Sequence, residues 1–265
     1  MGFIRFEIKD DAGLVRFCKP ESMNALSCDA VDESLEFFEG LGQKITRGIE
    51  RDVCALVLTG EGKAFIAGAD IKEMSRMGPS EATRFSEKGN RLMAVIEQFP
   101  IPVLAAINGH ALGGGLELAL AADFIYASSI AKIGFPEVTL GIVPGFGGVQ
   151  RLSARIGSAR AKELIYTGRV VDARCALEMG IVNCVFEPDE LLPRSMETAT
   201  AIAVAGRRAV RSAKEQANRR LQNNTASPVS DAESFGLLFS GYEPIEGMRA
   251  FLEKRKPQWT TKETE

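Results

Sequence analysis

Histidine is almost absent from this chain of 265 residues, since His110 is the only one. A single imidazole excludes metal centres built from histidine clusters, and we expect no metal ion in the functional site. Acid–base chemistry, if the protein performs any, must depend mainly on other titratable side chains. We expect His110 itself to be a structural residue of a turn.

Cysteine is also sparse, and the five cysteines are spread widely with no C-x-x-C pair. This pattern predicts neither a disulfide framework nor a thioredoxin-type redox motif. We therefore expect reduced, mostly buried thiols in a cytoplasmic protein. A nucleophilic cysteine usually needs a histidine partner, and nothing in the sequence places His110 beside any of the five.

Long apolar runs and excess positive charge are missing as well. No stretch reaches the roughly 18 uninterrupted apolar residues of a membrane-spanning helix, and the charged, alternating N-terminal segment is not typical of a signal peptide. The net charge of -3 provides no basic footprint for nucleic acid. We expect no membrane or nucleic-acid partner.

Strand and helix patterns alternate through the first half of the chain. The apolar runs Val53–Leu58 and Val103–Ile107 predict strands that are buried on both faces. Between them, Glu61–Pro79 predicts a mobile loop and Glu81–Phe99 a helix. This order predicts an α/β fold with parallel strands. The other elements predicted here are a hairpin of Phe3–Ile8 and Leu14–Cys18, helices over Cys28–Ile45 and Leu116–Ala122, and a strand over Asp123–Ala127.

Helical periodicity dominates from about Phe146 onward, with one predicted strand at Ile181–Phe186. The predicted helices are Val149–Ile156, Ala159–Thr167, Asp172–Met179, Asp189–Ala205, Arg207–Leu221, Pro228–Phe239 and Glu243–Lys254. No repeat or low-complexity linker divides the chain. We predict one α/β core over residues 1–195 and a helical C-terminal region over residues 196–265.

Two glycine-rich segments fail the tests for nucleotide-binding turns. A P-loop ending at Gly62-Lys63 would need glycine at Val57 and serine or threonine at Ala64. A dinucleotide fingerprint starting at Gly113 would need its third glycine at Leu118. A nicotinamide-dependent dehydrogenase is thus a weak alternative, which a cofactor-binding titration would test.

Two turns of small residues offer a different chemistry. Ala67-Gly68-Ala69-Asp70 and Gly113-Gly114-Gly115 follow predicted strands, and the second turn also opens a helix. Small residues let a ligand approach main-chain N–H groups, and the first N–H groups of a helix have no helical acceptor. Two amides directed at one carbonyl oxygen form an oxyanion hole. The alternative is that these glycines only make tight turns.

Two glutamates accompany these turns. Glu117 lies in the first turn of the helix after Gly115, and Glu137 follows the next predicted strand. Two carboxylates in one apolar site can take opposite protonation states, so that one serves as base and the other as acid. For either glutamate alone, a carboxylate at a helix start or on the surface is the favoured interpretation. The pairing of the two with the small-residue turns is what points to a site.

Five segments together carry a recognisable pattern: Lys19–Ser27, Gly62–Lys72, Asn108–Ala119, Phe135–Arg151 and Glu246–Arg255. Through them the chain resembles the crotonase (enoyl-CoA hydratase/isomerase) superfamily over nearly its full length. The resemblance implies a crotonase-type spiral of ββα units with a C-terminal helical trimerisation region. It also implies a homo-oligomer, either a trimer or a hexamer built as a dimer of trimers.

The resemblance further implies the site. The N–H groups of Ala69 and Gly114 would hold a thioester oxygen, while Glu117 and Glu137 act on water. The positions that match substrate or coenzyme A contacts are Ser22, Met23, Ala67, Asp70, Ile71, Lys72, Gly145, Phe251 and Lys254. In the family, the last two often reach a neighbouring subunit. Glu21 departs from the pattern, because many members carry a basic residue there.

Since both glutamates are present, the resemblance implies an enoyl-CoA hydratase of fatty-acid β-oxidation. Such an enzyme adds water reversibly to a trans-2-enoyl-CoA to give an (S)-3-hydroxyacyl-CoA, and its only cofactor-like group, coenzyme A, is part of the substrate. The alternatives are an enoyl-CoA isomerase, a hydratase of cyclic or dienoyl substrates, and a non-catalytic RNA-binding role. We expect the acyl pocket near Met74–Met77 and Phe85.

Overall fold

The computed structural model describes residues 2–50, 52–221 and 231–259, with the backbone alone for residues 219–221, 231–234 and 251. The strands, in chain order, are β1 (Ile4–Lys9), β2 (Ala12–Phe17), β3 (Ala55–Gly60), β4 (Ala64–Ile66), β5 (Val103–Ile107), β6 (His110–Leu112), β7 (Phe124–Ser128), β8 (Lys132–Gly134), β9 (Val170–Asp172) and β10 (Cys184–Phe186).

The helices divide between those of the core and those after it. Those up to residue 179 are α1 (Cys28–Thr46), α2 (Ile71–Met74), α3 (Pro79–Glu97), α4 (Gly114–Ala121), α5 (Gly148–Ile156), α6 (Ser158–Thr167) and α7 (Ala173–Met179). They are followed by α8 (Pro188–Ala203), α9 (Arg207–Leu221), α10 (Asp231–Leu238) and α11 (Tyr242–Leu252). Short 3-10 helices cover Pro20–Ser22 and Glu137–Leu140.

Two sheets form the spiral that the sequence predicts. The larger sheet has the order β1-β2-β3-β5-β7-β10, and the smaller has the order β4-β6-β8-β9. Strands pair in parallel except for the β1–β2 hairpin and the β8–β9 pair. In three successive turns, β3–β4, β5–β6 and β7–β8, the chain adds one strand to each sheet before it enters a helix. Parallel pairing requires such crossovers, and it brings the ends of successive strands to one edge.

The core strands are buried because apolar layers cover both faces of the larger sheet. In its main core, the ring of Phe17 meets that of Phe3 at a tilt and that of Phe65 edge to face, with centroid distances of 5.4 and 5.6 Å. On the other face, Leu191 of α8 packs with Val57 of β3 in a second cluster. The continuous apolar runs of the sequence are explained by this burial on both faces.

Two expectations for the central segments are wrong. Glu61–Pro79 is not a mobile loop, because it contains β4 and α2, and β4 pairs with β6 in the smaller sheet. His110 does not belong to a turn, since it begins β6 and lies opposite Lys132 of β8. Strands of three residues are too short to show an alternating pattern, so the sequence did not reveal the smaller sheet.

Polar contacts fasten the C-terminal helices to the spiral. Lys214 of α9 donates to Asp123 at 2.8 Å and to the carbonyl oxygen of Ile101 at 3.1 Å. Farther along, Trp259 donates through Nε1 to the carbonyl oxygen of Val204 at 2.7 Å. The predicted division between residues 195 and 196 falls inside α8 and stays a prediction. Within the described ranges, no helix has the length and apolar character needed to cross a membrane.

Candidate active site

Glu117 is presented by a short helix whose packing depends on glycine. All eight residues of α4 are buried, and a Cβ at Gly115 would collide with the carbonyl oxygen of Ile66 in β4. The helix therefore lies directly against the smaller sheet. Glu117, in its first turn, has only 2% of its side chain surface exposed. A carboxylate at this depth must have hydrogen-bond partners.

Those partners are two backbone amides at the start of α5. The Oε1 atom of Glu117 accepts hydrogen bonds from Phe146 N and from Gly148 N, both at 2.7 Å. Because both partners only donate, Oε1 cannot carry the proton when the carboxyl is neutral. Any proton that Glu117 binds or releases must therefore be carried by Oε2.

Glu137 lies close to the same helix start. It begins the 3-10 helix after β8, and its Oε1 atom is 2.7 Å from the point where a Cβ at Gly113 would lie. Only glycine leaves room for this carboxylate there, and its φ of +50° at Gly113 is also one that glycine favours. The Oε2 atom of Glu137 is buried and has no hydrogen-bond partner within the described residues.

Burial gives the two carboxylates unusual acidities. It raises the pKa of Glu117 to about 7, against the opposing effect of the two amides that bind the carboxylate. The nearby charge of Glu137 also raises the pKa of Glu117. Burial likewise raises the pKa of Glu137 to about 7. A pair with such values can hold one proton near neutral pH, as acid–base catalysis requires.

Leu26 lies next to both candidate oxyanion amides, those of Ala69 and Gly114. Leu26 N donates to the carbonyl oxygen of Gly68 at 2.9 Å, and Asp70 N donates to the carbonyl oxygen of Leu26 at 3.0 Å. This parallel bridge leaves the N–H of Ala69 pointing away from Leu26. A Leu26 side-chain carbon lies 3.2 Å from the Cβ position of Gly114, whose N–H begins α4 and has no helical acceptor.

The predicted substrate contacts fall into two groups. Ser22 and Met23 lie beside the turn formed by Ala67–Asp70, since Ala67 N donates to the carbonyl oxygen of Met23 at 3.1 Å. Asp70 caps α2 by accepting from Glu73 N at 3.0 Å, and this helix begins with the exposed Ile71 and Lys72. Gly145 lies in the loop before α5, next to the anchored carboxylate of Glu117.

The C-terminal positions form the second group. Lys254 follows α11 with a φ of +54°, and its side chain is exposed. The side chain of Phe251 lies outside the described residues. The hydrogen bonds of this segment run within the helical region, as between Arg255 and Glu246 at 2.6 Å. A role for Phe251 and Lys254 at another subunit's site stays a prediction.

A cleft of about 660 Å³ opens beside the Ala67–Asp70 turn, and part of the predicted acyl region lines it. Met77 and Phe85 line it together with Asp70 and Lys72. The ring of Phe85 meets that of Phe146 edge to face, with centroids 5.1 Å apart. In the described part of the chain, no cluster of His, Cys, Asp and Glu could hold a metal ion.

Sequence reasoning missed the groups that hold the loop before α5. The amides of Phe146 and Gly148 bind Glu117, while Ser86 and Asn90 bind the carbonyl oxygen of Gly145. The density of glycines in the segment 141–148 was the only sequence signal of a functional loop. Backbone donors leave no trace in side-chain identity, and the α3 residues are more than 50 positions away.

Comparison with known proteins places this chain in a family. The sequence matches the enoyl-CoA hydratase/isomerase family over residues 7–262. The chain belongs to that family. It is 41% identical to a crotonyl-CoA hydratase of Syntrophomonas wolfei, with 98% of both chains covered. It is also 41% identical to a short-chain-enoyl-CoA hydratase of Clostridium acetobutylicum, with 94% of both covered.

Solved structures of the enoyl-CoA hydratase/isomerase family share the architecture described above. The crystal structure of an enoyl-CoA hydratase from Bacillus anthracis superposes with a TM-score of 0.85 at 35% identity, covering 98% of this chain and 100% of that one. The predicted crotonase-type fold with its C-terminal helices is thus confirmed. The predicted family membership is confirmed as well.

Proposed function

We propose that this protein is an enoyl-CoA hydratase, which adds water reversibly to a trans-2-enoyl-CoA to give an (S)-3-hydroxyacyl-CoA. One observation carries the proposal: Glu117 and Glu137, both with a pKa near 7, lie at the start of the helix that also provides the amide of Gly114. The relatives named as crotonyl-CoA and short-chain-enoyl-CoA hydratases support the same reaction.

In the proposed mechanism, the N–H groups of Ala69 and Gly114 bind the thioester oxygen. They stabilise the negative charge that this oxygen gains as the substrate becomes an enolate, which makes C3 more electrophilic. The water oxygen then bonds to C3 while one carboxylate takes its proton, and the other carboxyl delivers a proton to C2. The net change is one water molecule across the C2–C3 double bond.

The hydrogen bonds favour Glu117 as the proton acceptor and Glu137 as the proton donor. Two amides stabilise the charged form of Glu117, so it is better suited to take the proton from water. The buried Oε2 of Glu137 has no partner within the described residues, which favours the neutral form and suits a proton donor. These transfers involve only protons and hydroxide, so the proposed reaction requires no redox cofactor or metal.

We propose that coenzyme A lies along Ser22, Met23 and the Ala67–Lys72 segment, and that Gly145 bounds the space near the water. The protein is proposed to act as a trimer or a dimer of trimers, in which Phe251 and Lys254 meet a neighbouring subunit's coenzyme A. Large apolar side chains on the C-terminal helices support an assembly, because they are half or more exposed in one chain; examples are Ile245, Met248 and Leu252. We also propose a cytoplasmic location and a role in fatty-acid metabolism.

The test is to incubate the purified protein with crotonyl-CoA and to follow the loss of the absorbance of the conjugated thioester. Glu117→Gln and Glu137→Gln should each lower kcat by about 10²- to 10⁴-fold, because each removes a proton-transfer group. The control is Glu178→Gln, which alters an exposed carboxylate paired with Arg174 and should leave kcat unchanged. Near-normal hydration by either active-site variant would contradict the proposal.

The same assay separates the hydratase from an isomerase. Incubation with a 3-enoyl-CoA should produce no conjugated absorbance if the protein only hydrates 2-enoyl substrates. A rise in that absorbance, with no hydration of crotonyl-CoA, would instead identify an enoyl-CoA isomerase.

A further inference from the structure

Helix α3 forms hydrogen bonds with the loop before α5, which binds Glu117 through its backbone amides. The carbonyl oxygen of Gly145 accepts a hydrogen bond from Ser86 Oγ at 2.6 Å and another from Asn90 Nδ2 at 2.7 Å. Ser86 and Asn90 are one helical turn apart, so their side chains lie on the same face of α3. Both thus converge on a single carbonyl oxygen.

The carbonyl group of Gly145 is directly bonded to one of the amides that bind Glu117. The C=O of Gly145 and the N–H of Phe146 belong to one planar peptide group. The N–H end donates to Oε1 of Glu117 at 2.7 Å, while the C=O end accepts from α3. Hydrogen bonds in series polarise one another, so the two donors on the oxygen strengthen the N–H as a donor.

We propose that Ser86 and Asn90 are positioning residues for Glu117, acting through the peptide group between Gly145 and Phe146. The inference rests on the proposed hydratase function, in which Glu117 acts on water. Ser86 and Asn90 fix the orientation of this peptide group, and the peptide fixes which carboxylate oxygen is anchored. Oε2 is thereby held ready for the reacting water.

Nearby contacts explain why this peptide needs such support. The loop contains Gly145 and Gly147, and glycines leave a backbone free to rotate unless it is otherwise held. Arg151 donates to the carbonyl oxygen of Phe146 at 2.9 Å, but this restrains the next peptide group along the chain. Packing of the Phe85 ring holds the Phe146 side chain and not the Gly145 carbonyl.

The charged groups that influence Glu117 come from two elements. Glu137 is on the 3-10 helix after β8, and Arg151 is on α5. Arg151 is paired with Glu97 of α3 at 3.1 Å. Substituting Ser86 or Asn90 changes none of these charges. A change in the titration of Glu117 would therefore report on the hydrogen bonds of the peptide.

The experiment measures kcat and KM for crotonyl-CoA across a range of pH with the full-length protein. Ser86→Ala and Asn90→Ala should each lower kcat about tenfold, as expected for one lost hydrogen bond, and leave KM nearly unchanged. The limb of the kcat profile that reports deprotonation of Glu117 should move to higher pH, since a weaker donor stabilises the carboxylate less. Ser86→Thr retains the hydroxyl and should restore both properties.

The matched control is Thr83→Ala, which removes an exposed hydroxyl from the same helix that binds only the carbonyl oxygen of Pro79. It should behave as the wild type. If the wild type hydrates crotonyl-CoA but Ser86→Ala and Asn90→Ala retain its kcat and pH profile, the inference is overturned and the function stands. A loss of kcat without movement of the pH limb also overturns it. A wild type without hydratase activity overturns the proposed function first.

Discussion

The backbone N–H of Phe146 lies 2.7 Å from Oε1 of Glu117, and this contact joins α5 to α4 at the centre of the site. The carboxylate acts as a cap for α5, because a negative charge at a helix N-terminus is favourable. The same contact leaves only Oε2 available for proton transfer. A single side chain thus caps a helix and, in the proposed mechanism, provides the oxygen that takes the proton from water.

The pH dependence of the reaction follows from the shared environment of the two glutamates. In the proposed mechanism, the free enzyme needs one carboxylate charged and one carboxyl neutral. The value of kcat/KM should therefore follow a bell-shaped curve centred near neutral pH, where burial places both pKa values. The two limbs belong to Glu117 and Glu137 as a pair. Initial rates with crotonyl-CoA over a pH series would measure the curve, and a flat profile would contradict this prediction.

Gly113→Ala should lower the activity, and its positive φ should also cost some stability. Its Cβ would displace the carboxylate of Glu137, so kcat should fall by about 100-fold, as for other misplaced catalytic groups. The control is Gly40→Ala in α1, where an added Cβ meets nothing within 4 Å. That variant should retain full activity and gain about 0.5–1 kcal/mol in the free energy of unfolding. Urea titration and crotonyl-CoA assays on both variants would test the contrast.

Glu137→Gln should make the protein more stable in mild alkali. The pKa of Glu137 is about 7 in the folded state and 4.5 as the ordinary value, so the folded state holds its proton over a wider range than the unfolded state. The stability contributed by the neutral carboxyl is full below the unfolded pKa and is lost as the pH rises through the folded pKa. The variant should exceed the wild type by about 2 kcal/mol near pH 8 and match it near pH 4.5. Equal unfolding midpoints at both pH values would refute this.

Asn24 should be essential for the stability of the backbone segments that precede the Ala67–Asp70 turn. It is fully buried, and its Oδ1 accepts from Lys19 N at 2.8 Å. Its Nδ2 donates to the carbonyl oxygens of Glu61, Ala64 and Phe65. Asn24→Ala leaves these buried groups unpaired and should cost about 3 kcal/mol in the free energy of unfolding. A urea midpoint like that of the wild type would show that the loop rearranges at little cost.

The parts of the fold that the sequence predicts well are those with long, regular patterns. Helix α1 begins at the predicted Cys28 and ends one residue past the predicted Ile45, because its periodic apolar residues, such as Phe38 and Leu41, are buried. Strand Val103–Ile107 has the predicted bounds, because its continuous apolar run is buried on both faces. The smaller sheet escaped prediction because β6 and β8 have three residues each. Their pairing depends on contacts between distant segments that no local pattern records.

The candidate site shows the same division. The two glutamates and the two small-residue turns are visible in the sequence, because carboxylates and glycine runs are distinctive. The support of Glu117 by Ser86 and Asn90 is not visible, because it passes through the backbone of Gly145. Geometry at a carbonyl oxygen depends on how α3 packs against the loop, and a serine or asparagine in a helix has no special meaning by itself.

The order of strands in the two sheets has a consequence for how the chain can be made. Within each sheet, the strands lie side by side in the order in which they occur along the chain. No later strand is inserted between two earlier ones. Each sheet can therefore grow at its edge as the polypeptide leaves the ribosome, with the β1–β2 hairpin as the first local structure. Glu117 and Glu137 follow β1, β2, β3 and β5 in the chain, so both glutamates are synthesised after these four strands and can be added to a sheet that has already begun to form.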